Sequence, residues 1–220
     1  MGKAKDYTFT DETLGFVEFE GMRLYHPPGM GGGLSTKDFE PEFTKYLRRI
    51  LTSDMTFLDI GAYFGSYVLL ASPRVKHVIA IEPHPDIVKV LRETIGRNNL
   101  ENVTVIERAL FSRMVNGQLG RRNNFQVAPD GPMEATTLDA LNLAPDVVKI
   151  DIEGAEYDAL VGARRTIEKY KPTILVEIHT KKIERFGHTA KQVRQLLTDW
   201  GYKLTDLGSR NENQFVVAEA

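Results

Sequence analysis

Thr56-Phe57-Leu58-Asp59-Ile60-Gly61-Ala62-Tyr63-Phe64-Gly65 is the stretch that decides how the chain is read. An apolar run ends in an acid, a turn with two glycines follows, and Ser66 to Ala71 continues with a helical pattern. Strand, glycine turn and helix in that order build the mouth of a nucleotide-type pocket. The spacing inside the turn narrows the ligand. A dinucleotide fingerprint reads G-x-G-x-x-G, and its middle glycine lets the backbone approach a pyrophosphate. Here Tyr63 stands at that middle position, between Gly61 and Gly65. Its side chain keeps a pyrophosphate away, and Asp59 repels a phosphate. The plain alternative is an ordinary βα turn that uses glycine for its positive φ angles.

A nucleoside-like ligand that carries positive charge meets both constraints. S-adenosylmethionine (SAM), with its sulfonium and amino groups, is such a ligand. A second apolar strand, His77 to Ile81, ends at Glu82-Pro83. Glu82 lies at about the offset, some 20 residues beyond the turn, where a carboxylate reaches ribose hydroxyls in a doubly wound fold.

Composition sets the outer limits. The chain has 220 residues, 42% of them hydrophobic, enough for one sizeable core. A formal net charge of −2 provides no global basic field for nucleic acid. With no cysteine, disulfides, thiolate metal sites and cysteine nucleophiles are excluded. The sequence has no apolar run of about 18 residues and no apolar signal core at Met1-Gly2-Lys3-Ala4-Lys5-Asp6, so a cytoplasmic protein without a membrane span is expected.

Working outward, Phe16 to Tyr25 alternates apolar and polar residues on both sides of Gly21, a hairpin pattern. His26-Pro27-Pro28-Gly29-Met30-Gly31-Gly32-Gly33 then breaks all regular structure and reads equally as a lid or a linker. The expected organisation is residues 1–37 as this appendage and 38–220 as the main domain. Asp38 to Leu51 and Pro85 to Asn98 have helical spacing, and Val103 to Ile106 is a third strand. Residues 111–135 are polar, rich in glycine and hard to assign.

The second dense stretch is Val147-Val148-Lys149-Ile150-Asp151-Ile152-Glu153-Gly154-Ala155-Glu156. A fourth apolar strand ends at Asp151, where open α/β sheets bind ligands. The helix that follows is expected to carry Leu160, Val161 and Ile167 inward. Pro172 to His179 is a fifth strand, on which Glu177 and His179, two apart, share a face. Thr189 to Trp200 reads as a helix, and Tyr202 to Leu207 with Gln214 to Ala218 as a closing strand pair. Only that last connection is hairpin-like. The fold class is therefore α/β: a doubly wound, Rossmann-like seven-stranded sheet, mostly parallel with the last strand antiparallel, plus a small N-terminal β appendage.

At this point the chain resembles the class I SAM-dependent methyltransferases, and more closely the FkbM-type family. The carrying motifs are Leu58 to Gly65, Ala80-Ile81-Glu82-Pro83, Thr137-Leu138-Asp139 and Lys149 to Glu156. Where members often show Asn after the Gly-Ala pair, this chain has Tyr63. The resemblance implies methyl transfer from SAM to a hydroxyl of a sugar, glycan or other small molecule. It implies that Asp59, Gly61 and Gly65, with Ala62 and Ser66, hold the methionine end. Glu82 and Pro83 fall to the ribose, Arg108 and Ala109 lie near the adenine, and Asp151 borders the methyl group.

A hydroxyl acceptor must lose a proton. His179 is the expected base, with a pKa near the free value of about 6.5, and Asp151 is the next candidate. A divalent cation held by Asp151, Glu177 and His179 is chemically admissible. The sequence alone assigns no metal ligands. Two rival readings remain. One is an RNA or protein methyltransferase, from the basic run Lys181, Lys182, Arg185, Lys191 and Arg194, although net acidity disfavours nucleic acid. The other is a SAM-binding module without chemistry.

Overall fold

The computed structural model describes residues 13–30, 39–119, 125–127, 131 and 133–220. The central sheet grows from the apolar runs of the sequence. Its parallel strands are β3 (Thr56–Ile60), β4 (His77–Ile81), β5 (Val103–Ile106), β10 (Val147–Ile150) and β11 (Thr173–Ile178). Apart from the edge strand β5, they are buried on both faces and read as near-continuous apolar segments. The closing pair is β12 (Lys203–Arg210) and β13 (Asn213–Glu219). The order across the sheet is β12-β13-β11-β10-β3-β4-β5, and β13 runs antiparallel to both neighbours. The sequence reading of a parallel sheet with an inserted antiparallel last strand is the architecture observed. The order reverses between β3 and β10, the switch point where open α/β sheets take their ligands.

Two apolar layers cover the sheet. One face packs α1 (Pro41–Ile50), α2 (Ser66–Ala71) and α3 (Pro85–Arg97) through Phe43, Leu47, Leu70 and Leu91. The other packs α5 (Glu156–Val161), α6 (Arg164–Tyr170) and α7 (Ala190–Asp199) through Leu160, Ile167, Val193 and Leu197. α7 starts in a capping box, with Thr189 and Gln192 each bonding the other's backbone N–H.

The N-terminal hairpin is present, as β1 (Gly15–Phe19) and β2 (Met22–His26). It shares the first apolar layer through Phe19, Leu24 and Tyr25. Asn98 clamps it to the end of α3, accepting from Arg23 N at 2.9 Å and donating to Arg23 O at 2.7 Å. Of the glycine-proline stretch, residues 31–38 lie outside the described residues, and with them the lid-or-linker question.

One open stretch is resolved and one expectation corrected. Residues 111–135 contribute to a second small sheet, in which β6 (Ala109–Leu110), β7 (Val115–Leu119), β8 (Phe125–Val127) and β9 (Met133–Thr136) pair in the order β6-β9-β7-β8. The helix after Glu156 is two helices, and Val161 is 37% exposed rather than inward. The break falls at Gly162, which passes so close to Phe111 that a Cβ there would lie 2.1 Å from its carbonyl oxygen. The remaining short helix, α4 (Leu138–Leu141), is capped by the Thr137 hydroxyl.

Candidate active site

The turn after β3 and the turn after β10 meet at the switch point. Gly61 has φ +83°, and a Cβ there would lie 1.9 Å from the backbone oxygen of Asp151. Only glycine allows both that dihedral and that approach. The N–H groups of Gly61 and Ala62 donate to the carbonyl of Ile81, at 2.9 and 3.1 Å, and Gly65 N–H returns to Ala62 O at 2.9 Å. The turn is thereby fixed from both neighbouring strands. Tyr63 sits at φ 50°, the left-handed region that asparagine tolerates better than tyrosine, and its ring packs against Phe64. Ser66 is buried as the first residue of α2.

Asp59 and Glu82 end β3 and β4 side by side. Glu82 is buried, accepting from Tyr63 N–H at 3.1 Å through one oxygen and from His84 N–H at 3.0 Å through the other. Burial pushes its pKa up to about 7, against the pull of those two amides. Pro83 follows it at the mouth of the turn, half-buried. Asp59 is fully enclosed, and burial raises its pKa against the opposing charge of Lys149. Neither carboxylate oxygen of Asp59 accepts a hydrogen bond of normal geometry among the described residues. Arg108 lies beyond the end of β5, where its guanidinium pairs with Glu134 at 3.1 Å, and Ala109 is buried at the start of β6.

Lys149 is the residue that sequence reasoning missed. Its ammonium is 3.1 Å from Asp59, 3.7 Å from Asp151 and donates to Gly61 O at 3.0 Å. It also lies 4.8 Å from the centroid of the Tyr67 ring, and the Tyr67 hydroxyl donates to Glu40 at 2.5 Å. Burial works against its charge, but Asp59, Asp151 and Glu40 outweigh burial and hold its pKa above the ordinary lysine value. Burial, reinforced by Asp151, lifts Glu40 to about 7. The Asp59 carboxylate is thus already engaged by Lys149, so the charge beside the turn is shared by a network.

The second cluster forms where β10 and β11 end. His179 is buried, and its Nδ1 lies 2.7 Å from Glu156 Oε1. That oxygen also accepts from Gly154 N–H at 2.8 Å, so it is an acceptor and Nδ1 carries the hydrogen. Nε2 faces Asp151 at 3.6 Å and Glu153 and Glu177 at 3.8 Å each. The structure therefore brings Asp151 and His179 together, as their strand ends suggested. It also gives Glu156, which reads in the sequence as a helix-start acid, the task of orienting the imidazole. Burial lowers the His179 pKa, but Glu156, Asp151 and Glu153 overcome it and carry the value to about 9. The expectation of a base titrating near 6.5 is corrected: at neutral pH the ring keeps its proton in this environment.

Comparison with known proteins identifies the family. The family model described as "Methyltransferase FkbM domain" matches residues 59–204. The chain belongs to the FkbM methyltransferase family. Among curated relatives, this FkbM member is 25% identical over 174 residues to the hexuronic acid methyltransferase AglP of Haloferax volcanii, covering 73% of this chain and 68% of that one. Among solved structures it is similar to the FkbM methyltransferase of Methylobacillus flagellatus KT, with a TM-score of 0.58 and 17% identity. That likeness covers 80% of this chain and spans half of the length of the other. M. jannaschii TYW2, solved in complex with AdoMet, shares the fold at a TM-score of 0.54 and 15% identity, over 97% of this chain and 87% of that one. The glycine turn, the strand-end acids and the family together make this a SAM-dependent methyltransferase domain. The residues present fit that donor: acids ring the switch point, and the backbone of the turn is drawn close by glycine.

Proposed function

We propose that this FkbM domain methylates a hydroxyl of a sugar, glycan or similar small molecule. The observation that carries the reading is the Asp151–Glu177–His179 cluster at the strand ends beside the glycine turn. The 25% identity to a hexuronic acid methyltransferase supports the sugar class. In this reading Gly61, Ala62, Gly65 and Ser66 form the wall for the methionine end. Asp59 acts through Lys149, Glu82 and Pro83 receive the ribose, and Arg108 and Ala109 border the adenine.

SAM supplies a methyl group already activated by its sulfonium. The chain's own work is alignment and proton removal. The acceptor oxygen attacks the methyl carbon in line with the carbon–sulfur bond, the bond to sulfur breaks, and the hydroxyl proton must leave. Asp151, whose side chain is a quarter exposed, is the group positioned to take it.

A nucleic-acid acceptor has less support. Three members of the basic run are neutralised on the surface: Lys181 by Glu212, Lys182 by Glu153 and Arg194 by Asp206. Incubation with methyl-labelled SAM and separate pools of uronic acids, oligosaccharides, RNA and protein tests the assignment. Label in the sugar pool alone is expected. Label in RNA or protein alone, or SAM binding without turnover on any pool, overturns it.

A further inference from the structure

The same cluster has the construction of a metal centre. Asp151, Glu177 and His179 each offer a ligand atom, and all three atoms lie within 4.8 Å of one another. Glu177 lies near the end of β11, His179 immediately follows that strand, and Asp151 immediately follows β10 beside it. An ion with arms of about 2.1 Å holds neighbouring ligands about 3.0–3.4 Å apart. The observed 3.6 and 3.8 Å from Nε2 to Asp151 and Glu177 need only a small closure.

The imidazole is prepared for this from behind. His179 is 2% exposed, and its Nδ1 is committed to Glu156, itself fully buried. Nε2 is thereby aimed into the cluster, with every carboxylate around it beyond hydrogen-bond reach among the described residues. A carboxylate fixing one ring nitrogen so that the other faces an ion is the common support of metal-bound histidine. Glu177 is braced too, since its Oε1 accepts from Asn213 at 2.7 Å. Lys182 pairs with Glu153, and Lys149 lies nearer Asp59, at 3.1 Å, than Asp151, whose Oδ2 it approaches at 3.7 Å while Oδ1 faces His179. Asp151 keeps its open side toward solvent, which leaves coordination positions for a substrate.

We propose that Asp151, Glu177 and His179, the last giving up its Nε2 proton to solvent as the cation takes its place, bind a divalent first-row metal ion whose open positions receive the acceptor hydroxyl. Two carboxylates and one imidazole suit Mn²⁺ or Zn²⁺ better than Mg²⁺, which prefers an all-oxygen shell. The ion makes the hydroxyl more acidic. With Asp151 holding the ion, the proton passes to water instead of to Asp151, the oxygen lone pair bonds the methyl carbon, and the carbon–sulfur pair returns to sulfur as the neutral thioether. The use of the ion rests on the methyl-transfer reading, but its binding does not.

The test is Mn²⁺ titration of the chelator-stripped full chain, followed by calorimetry and electron paramagnetic resonance. One saturable site per chain is expected, with ¹⁴N coupling from a bound imidazole. His179→Ala should abolish the ¹⁴N signal, and Glu177→Gln should weaken binding by about tenfold or more. Asp206→Asn, a surface acid change, should leave binding unchanged. If His179→Ala fails to fold, Glu177→Gln and the ¹⁴N signal of the native chain still decide. Absence of a saturable site for Mn²⁺ and for Zn²⁺, or binding that survives both cluster variants, overturns the proposal. SAM affinity is measured separately. Methyl transfer without metal binding sinks only the metal, whereas metal binding without SAM binding sinks only the methyl-transfer reading.

Discussion

Lys149 and Asp59 stand directly opposite each other on the parallel pair β10 and β3, with their charged atoms 3.1 Å apart and side chains no more than 2% exposed. The pairing register puts them on one face of the sheet, so the ion pair is a consequence of strand alignment. Removing one member of a buried pair leaves an uncompensated charge, at a cost of about 3–5 kcal/mol. Lys149→Met is therefore expected to destabilise the domain by that order in denaturant unfolding. Asp59→Asn combined with Lys149→Met should cost less than the sum of the two single changes. Strict additivity would remove the coupling.

Gly61 offers a sharper test of the turn, because another glycine supplies the control. Gly201 also has a left-handed φ, +87°, yet a Cβ there meets nothing within 4 Å. Gly201→Ala isolates the dihedral strain, about 1–3 kcal/mol. Gly61→Ala adds overlap with the Asp151 carbonyl and should lower the melting temperature further. SAM affinity should fall by about tenfold or more, since a loss of about 1.4 kcal/mol suffices for that. Equal melting temperatures for the two variants would mean the strands separate easily at the switch point.

Glu156 is predicted to act on turnover through His179. Replacement by leucine removes the acceptor from both Gly154 N–H and His179 Nδ1. Loss of such an orienting partner typically costs about 10- to 100-fold in activity. Glu156→Gln retains an oxygen for the same two donors and should recover part of that loss. SAM affinity should hold in both variants, because Glu156 lies on the β11 side of the cluster. A variant that loses SAM binding and turnover together would make Glu156 merely structural.

The elements legible in the sequence were those with a local signal. The β3 run with its glycine turn, the strand ending at Glu82 and the helix from Thr189 to Trp200 each announce themselves within about ten residues. Lys149 did not, because a lysine inside an apolar strand gains its meaning from Asp59 across the sheet. Glu40 and Tyr67 reach the same network from α1's start and from α2, which no spacing along the chain reveals. The small second sheet escaped for a related reason. Its strands are short, β7 is interrupted by Gly117, and pairs such as Val115 with Ala135 are set by partners distant in the chain. Gly162 breaks its helix because of Phe111, again a contact invisible to periodicity.

Glu82, proposed above as the ribose acceptor, is expected to tie cofactor binding to pH. Its folded pKa, raised by burial to about 7, exceeds the unfolded value near 4.5. Between those values the native state keeps a proton that the unfolded chain has lost. Stability contributed by Glu82 is thus present at low pH and falls as pH rises through that window, by at most about 1.4 kcal/mol per unit. Glu40, also near 7, adds a change of the same sign, so Glu82→Gln should flatten the profile only in part. Ribose hydroxyls that donate to Glu82 favour its ionised form, so SAM binding below pH 7 should expel a proton. Calorimetry at pH 6 in two buffers of different ionisation heat measures that release directly. The wild type should release a substantial fraction of one proton and Glu82→Gln much less, while Glu82→Ala weakens SAM by about 10- to 100-fold. Equal proton release from wild type and Glu82→Gln, or unchanged affinity in Glu82→Ala, would take Glu82 away from the ribose.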